Sequence, residues 1–435
     1  MPTRALSGAR LVRDLGVTNE FLNNNLATTG KIQQVGSDRF LGKNLGSGTG
    51  NTDQVQPWYD VQVPDWTTGQ HTAQWSTLQY YLSSVAQTNS LIPISSAYIS
   101  TFGSLPGDNA YFGAILAPNG KFYLPQGGSR SGSLIRVIDP IARTISVIAT
   151  VAGGLGDNDF LAGALAPNGK IYCHPYNQTV FLVIDPSNNT VTRIGTYTSE
   201  VAKYNGSVLA PNGKIYGVAD SSTLIRVIDP DTDTVSVVGT YTVGDFSGYT
   251  AVIWKNGKIY GMPDGDNART TVRILDPSNN TVTTIGVPSG TLRTVGGILA
   301  PNEKIYCIPF GGNSFAYFDP SDNSFSTFGA FTPFTNVTWP DGSSYFGGVL
   351  APNGKIYTVP YNHSLLRVVD PENNTVSVIA TVTGSQKYGG GSLGPDGNVY
   401  MFPNYATNIL CINILNNTVF NINVNTSPNY NRGGY

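Results

Sequence analysis

Charge is what this sequence of 435 residues has least of: Asp, Glu, Lys and Arg make up only 12% of it and nearly cancel, leaving a net charge of −2. Such a chain has no basic field with which to hold nucleic acid or an anionic membrane surface, so neither partner is expected. Cysteine is almost as scarce. Three residues, Cys173, Cys307 and Cys411, cannot pair completely, which excludes a disulfide-stapled scaffold and leaves them to act as small buried apolar groups. No apolar run approaches the length of a transmembrane helix. The first residues carry Arg4, Arg10 and Arg13 but lack the apolar core of a secretory signal, so no export signal is expected. With three histidines in the whole chain and no recognisable set of ligands, neither a metal nor a cofactor is expected.

What the chain has instead is 50 glycines, 24 tyrosines and abundant Asn, Thr and Ser, a composition that favours strands joined by tight turns. One phrase recurs seven times: Leu116-Ala-Pro-Asn-Gly-Lys-Phe-Tyr123, then Leu165 to Tyr172, Leu209 to Tyr216, Ile253 to Tyr260, Leu299 to Tyr306, Leu350 to Tyr357 and Leu393 to Tyr400. Its fourth position, Asn119, Asn168, Asn212, Asn256, Asn302, Asn353 and Asp396, returns every 43 to 51 residues, the length of four short strands. Asn-Gly supplies the positive φ of a tight hairpin. A second recurring element, the Asp-Pro at Asp139, Asp185, Asp229, Asp276, Asp319 and Asp370, starts a turn that the Asp can cap, so these carboxylates are read as structural rather than catalytic. The column Ala114, Gly163, Ser207, Ala251, Gly297, Gly348 and Gly391 holds only small residues, as strands converging on an axis require.

These features predict an all-β fold: a seven-bladed β-propeller over 97–435, preceded by a mostly irregular N-terminal segment, 1–96, containing a short helix. Two segments compete to close the ring, Ala97 to Gly103 and Thr418 to Val424, and the pattern does not choose between them. The wording of the repeat resembles the NHL and SMP-30-like propeller repeats over Tyr98 to Val424. That resemblance implies the fold and hardly constrains function, since propellers host lactonases, lyases, glycan binders and scaffolds.

In the N-terminal segment, Trp75, Leu78, Leu82 and Val85 are spaced as one apolar seam of a helix, which packs on its own chain or supports a homo-oligomer. Gly46-Ser-Gly-Thr-Gly50 lacks the Lys-Ser/Thr ending of a phosphate loop. The string Thr29 to Lys43, with Ser37-Asp-Arg-Phe-Leu-Gly-Lys43 and the Gly-Thr-Gly that follows, resembles connectors of phage tail-fibre and other virion appendage proteins. It implies a virion structural protein, of fibre or decoration type, attached to other virion proteins through 1–96. The alternative is an intracellular propeller enzyme of lactonase or lyase type.

In a propeller the connections from fourth to first strand and from second to third open on one face. Here those loops vary, whereas the Pro-Asn-Gly and Asp-Pro turns of the other face are nearly identical. At the entrance of the inner strands stand Tyr111, Phe160, Tyr204, Tyr345 and Tyr388, flanked by Lys203, Arg293 and Lys387, with Tyr176 and Tyr361 in the second-to-third loops. Aromatic faces beside charged and amide groups suit sugar rings, so these residues are the candidate site for a host-surface glycan; the competing reading packs the rings between blades. His174 and His363 fall four blades apart and in different register, which argues against one catalytic site. For an enzyme, the carboxylates that could reach the mouth are Asp108, Asp157, Asp159, Glu200 and Asp245.

Overall fold

The computed structural model describes residues 32–34, 40–42, 101–102, 111–125, 133–152, 159–197, 203–219, 222–240, 251–263, 271–287, 294–331, 344–406 and 408–424. Seven four-stranded antiparallel meanders follow one another in chain order, numbered here blades 1 to 7, and no helix occurs among the described residues. Blade 3 is representative, with strands Tyr204–Leu209, Ile215–Ala219, Leu224–Asp229 and Thr234–Thr240. The second strand is buried throughout, while the fourth alternates exposed and half-buried positions, as an outer edge should. The helix over Trp75 to Val85 lies outside the described residues. Of the N-terminal segment, Ile32–Gln34 and Phe40–Gly42 pair as an antiparallel two-stranded sheet.

The small-residue column does what convergence demands. A Cβ at Gly297 would lie 2.4 Å from Ile305 Cγ2 and 2.8 Å from Met262 Cγ of the preceding blade, and one at Gly391 2.6 Å from Val349 Cγ2 of blade 6. The seam is settled by pairing. Thr418–Val424 is the fourth strand of blade 7, and Thr101–Phe102 adds to it as a fifth, parallel strand. Blades 1 and 7 then meet directly: a Cβ at Gly389 would lie 2.6 Å from Tyr111 O, and Phe122, Leu124 and Ile138 share a core cluster with Phe402, Ile409 and Cys411. All three cysteines are buried and unpaired.

The recurring phrase holds neighbouring blades together. The Asn302 side-chain amide donates to Tyr306 Oη (3.0 Å) and to Pro371 O of the next blade (2.8 Å), while its oxygen accepts from Lys304 N. Tyr306 Oη in turn reaches Pro371 O (3.0 Å) and Asn374 Oδ1 (2.6 Å). The same pattern joins blade 1 to 2 through Asn119 and Tyr123, 2 to 3 through Asn168 and Tyr172, 3 to 4 through Asn212 and Tyr216, and 6 to 7 through Asn353 and Tyr357. The acceptor residues Asn189, Asp233, Asn280, Asn374 and Asn417 all have positive φ, which turns their side chains back toward the preceding blade. The Asp-Pro carboxylates are engaged too: Asp185 accepts from Ser187 N and Oγ, and hydrogen bonds of this kind hold its carboxyl below the usual range.

Tyr306→Phe removes one hydroxyl that serves two acceptors in blade 6. Because Asn374 Oδ1 then loses its buried donor, the substitution should destabilise the fold by about 1–2 kcal/mol. Urea unfolding should show a lowered midpoint with an unchanged slope; an unaltered midpoint would mean that the clamp contributes nothing net.

Candidate functional site

The variable face begins where each inner strand starts, and there the backbone is irregular. In blades 3, 5, 6 and 7 the register between first and second strands shifts just after the entrance residue, between Tyr204 and Gly206, Thr294 and Gly297, Tyr345 and Gly348, and Tyr388 and Gly390. A bulge changes the direction in which the preceding side chain points. Tyr111, Phe160, Tyr204, Tyr345 and Tyr388 are accordingly core residues, none more than 1% exposed. This corrects the expectation that these rings stand open to a sugar. Their hydroxyls have partners within the protein: Tyr204 donates to Leu224 O (2.8 Å), Tyr345 to Leu365 O (3.0 Å), and Tyr388 accepts from Asn408 Nδ2 (2.8 Å). Arg136 and Arg367 donate to the hydroxyls of Tyr111 and Tyr345.

Those arginines belong to a column that the reading of the repeat did not single out. Arg136, Arg226, Arg273 and Arg367 occupy one column of the third strands, in segments such as Leu-Ile-Arg-Val-Ile-Asp that otherwise read as plain core. Arg226 lies 4.1 Å above the Tyr197 ring and Arg367 4.6 Å above Phe331, so each of these two guanidinium groups is packed on an aromatic face.

The remaining candidates separate. Lys203 is fully buried with its amine 5.0 Å from the Tyr197 ring centre, and Tyr176 is half-buried on blade 2. Tyr361 is buried against Phe346 and Phe310 and donates to Gln386 Oε1 (3.2 Å). Arg293 lies outside the described residues, as do Asp108, Asp157, Glu200 and Asp245. Asp159 is buried and accepts from Gln178 Nε2 (3.2 Å). His174 packs edge-on against Tyr204 and Phe181 and bonds Ser207 Oγ and Arg226 O, with Gly217 leaving the room: a Cβ there would come within 2.6 Å of both rings. His363 stacks on Tyr345 and accepts from Leu365 N. The two histidines do not meet. Among the described residues, no group of three or more His, Cys, Asp or Glu is placed to hold a metal ion.

Two candidates do border open space. Lys387 and Tyr388 form the floor of a cleft of about 500 Å³ between blades 6 and 7 on the variable face. Its other walls include Asn408 and Asn421, from the third and fourth strands of blade 7, and the exposed Tyr405, none of which the repeat alone had singled out. The Lys387 side chain is 2% exposed and donates to Gly384 O (2.8 Å); burial pulls its ammonium down to about 8. Asn408 Nδ2 also donates to Asn421 Oδ1 (2.7 Å).

With the geometry in place, comparison with known proteins adds the following. Residues 126–292 match the profile of a repeat of unknown function, DUF6923. No curated protein matches the chain. Among solved structures, a streptogramin B lyase aligns with a TM-score of 0.57 at 13% identity, covering 71% of this chain and 97% of that one. A virginiamycin B lyase from Staphylococcus aureus aligns with a TM-score of 0.54 at 12% identity, covering 68% and 92%. A protein from Bacteroides fragilis assigned as a 6-phosphogluconolactonase aligns with a TM-score of 0.52 at 13% identity, covering 69% and 93%. At such identities the likeness is one of fold, and it agrees with the propeller repeat read from the sequence.

The buried histidine makes a measurable prediction. Burial drives His174 from its ordinary value near 6.5 down to about 3, so the folded protein keeps it neutral where the unfolded chain protonates it. The unfolded state therefore binds the extra proton between those values, and stability is lost as pH falls from about 6.5 toward 3, by ~1.4 kcal/mol per unit at most. His174→Gln should flatten the decline in urea midpoint between pH 7 and pH 4.5 relative to the parent. An identical slope in both proteins would show that His174 titrates normally when folded.

Proposed function

We propose that this chain is a recognition protein of a virion appendage, whose segment 1–96 attaches it to other virion proteins and whose propeller binds a host-surface glycan through the variable face. The observation that carries the binding half is the division of labour between faces. One face uses its Asn, Tyr and Asp side chains to fasten blade to blade, and the other bears a cleft walled by an amine, amides, a phenol and an exposed aromatic ring. Such a set is suited to a polyhydroxylated ligand. Among the described residues, three titratable groups of this face are engaged in support, His174 with Ser207 and Arg226, His363 with Leu365, Asp159 with Gln178, and that favours recognition over turnover. The attachment half rests on the resemblance of Thr29 to Lys43 to virion connectors, and self-association through the Trp75 to Val85 seam belongs to the same reading.

A variant lacking 1–96 tests it, because the strand Thr101–Phe102 and all seven blades are retained. The truncated protein should keep the cooperative unfolding and glycan binding of the full chain and should be missing from purified particles when analysed by mass spectrometry. Incorporation at the parental level would refute the docking role. Turnover of lactone or lyase substrates by the full chain, in place of glycan binding, would favour the enzymatic alternative.

A further inference from the structure

We infer that the junction between blades 6 and 7 is a built binding site for an acidic sugar, with the Lys387 ammonium meeting the sugar's carboxylate; this rests on the glycan-binding reading above and gives it a location. The argument begins with the same junction elsewhere in the ring. Just beyond the outer strand of blade 2, Tyr197 N donates to Thr179 O, and the Tyr197 ring fills the space between blades 2 and 3 under the Arg226 guanidinium at 4.1 Å. Beyond blade 5, Phe331 N donates to Asn313 O, and its ring fills the space between blades 5 and 6 under Arg367 at 4.6 Å. Beyond blade 6 the equivalent residue is Val382, whose N donates to Ser364 O, and the third-strand position that holds arginine in blades 3 and 6 is Leu410. Both halves of the plug are thus replaced by smaller side chains, and the cleft occupies the space, lined by Val382 and Leu410 themselves.

The lysine is kept. Lys387 corresponds to Lys203, but where Lys203 lies beside the Tyr197 ring, Lys387 has Gly384 O as its one hydrogen-bond acceptor among the described residues. Its loop is set in place: Gly384 has φ 105 and Gln386 φ 45, Gln386 N donates to Asn362 Oδ1 (2.7 Å), Lys387 N to Tyr361 O (2.9 Å), and Asn404 N to Lys387 O (2.8 Å). The walls offer donors beside the lysine, and Asn408 Oδ1 with the hydroxyls of Thr381, Thr383 and Ser385 can accept. Tyr388 Oη accepts from Asn408 and keeps its own proton to give, and Asn421 Oδ1 is taken by Asn408, leaving its NH₂. No carboxylate is among the described residues lining the cleft. A cationic cleft of about 500 Å³ with amide and hydroxyl walls and the Tyr405 ring 51% exposed at its rim fits one acidic sugar: hydrogen bonds for the ring hydroxyls, a charge for Lys387, a C–H face for Tyr405.

Titration calorimetry on the full chain with N-acetylneuraminate and glucuronate, against glucose, galactose and acetate, tests the site. Both sugar acids should bind and the other three should not. Lys387→Met should weaken binding about tenfold, and Val382→Tyr, which restores the aromatic half of the plug seen at the blade 2–3 junction, should abolish it with an unchanged melting temperature. Tyr405→Ala, at an exposed position, should weaken binding several-fold without affecting folding. Sugar acids that bind equally well to Val382→Tyr and Lys387→Met would overturn this site while leaving the glycan reading intact, as would binding of neutral sugars alone. Acetate binding as tightly as the sugar acids would reduce the site to an anion contact. If no glycan on an array binds the parent protein, the glycan reading itself falls.

Discussion

The ring depends on one hydrogen-bonded unit, a second-strand tyrosine hydroxyl set into the turn of the following blade, which the described residues show at five junctions. A blade of this kind cannot satisfy itself. Tyr306 Oη and the Asn302 amide find their partners in blade 6, so removing a neighbour would leave buried polar groups without acceptors. The unit also explains why the repeat is so literal. Asparagine is needed because its NH₂ serves the tyrosine and the next blade's carbonyl while its oxygen takes the lysine N–H, and no hydroxyl or carboxylate offers that combination. At the acceptor end the residue must reach back from a left-handed backbone, which Asn and Asp tolerate best. The two ends of the array break both rules in a complementary way: blade 7 carries Asp396 where the others have Asn, and blade 1 carries Arg143 at the left-handed position, so opposite charges replace the two amides of the unit on the two sides of the seam.

Such a unit makes the fold legible from sequence, because each of its members recurs at fixed spacing. Blade number, strand order and the role of the Asp-Pro carboxylates all follow from it, and the structure has them as read. Closure was a different matter. Ala97 to Gly103 and Thr418 to Val424 carry the same outer-strand pattern, and only pairing distinguishes a fourth strand from the parallel fifth one formed by Thr101–Phe102. No local signal encodes which of two equivalent edges is occupied.

The rings at the entrances of the inner strands were read as open to a ligand, and they are buried. Alternation along a strand assigns a side chain to one side or the other, and one inserted residue reverses the assignment. The shifts after Tyr204, Tyr345 and Tyr388 make that insertion, with Gly347 at φ 80 supplying the turn in blade 6. The rings therefore enter the core. Arg136 and Arg367 donate to two of the entrance hydroxyls, and with Arg226 and Arg273 they form a column of charge within apolar third strands, a pattern that in a buried strand calls for a partner.

The cleft, by contrast, had no signature within any one copy of the repeat. Val382 and Leu410 are each unremarkable, since a valine after an outer strand and a leucine in a third strand fit an all-β core. They matter because the propeller brings the residue following one blade against the third strand of the next, where the junctions of blades 2–3 and 5–6 place an aromatic ring under a guanidinium. The information lies in a pair of positions compared across junctions, not across repeats, and that comparison needs the stacking order to be known. A repeat protein built this way can open or fill a pocket at any junction by changing two side chains, while the hydrogen-bonded units that hold the ring lie at the opposite face and are not disturbed. The cleft and the hydrogen-bonded clamp are then carried by different residues of the same blade, so the variable face is free to differ from one junction to the next without loss of the fold.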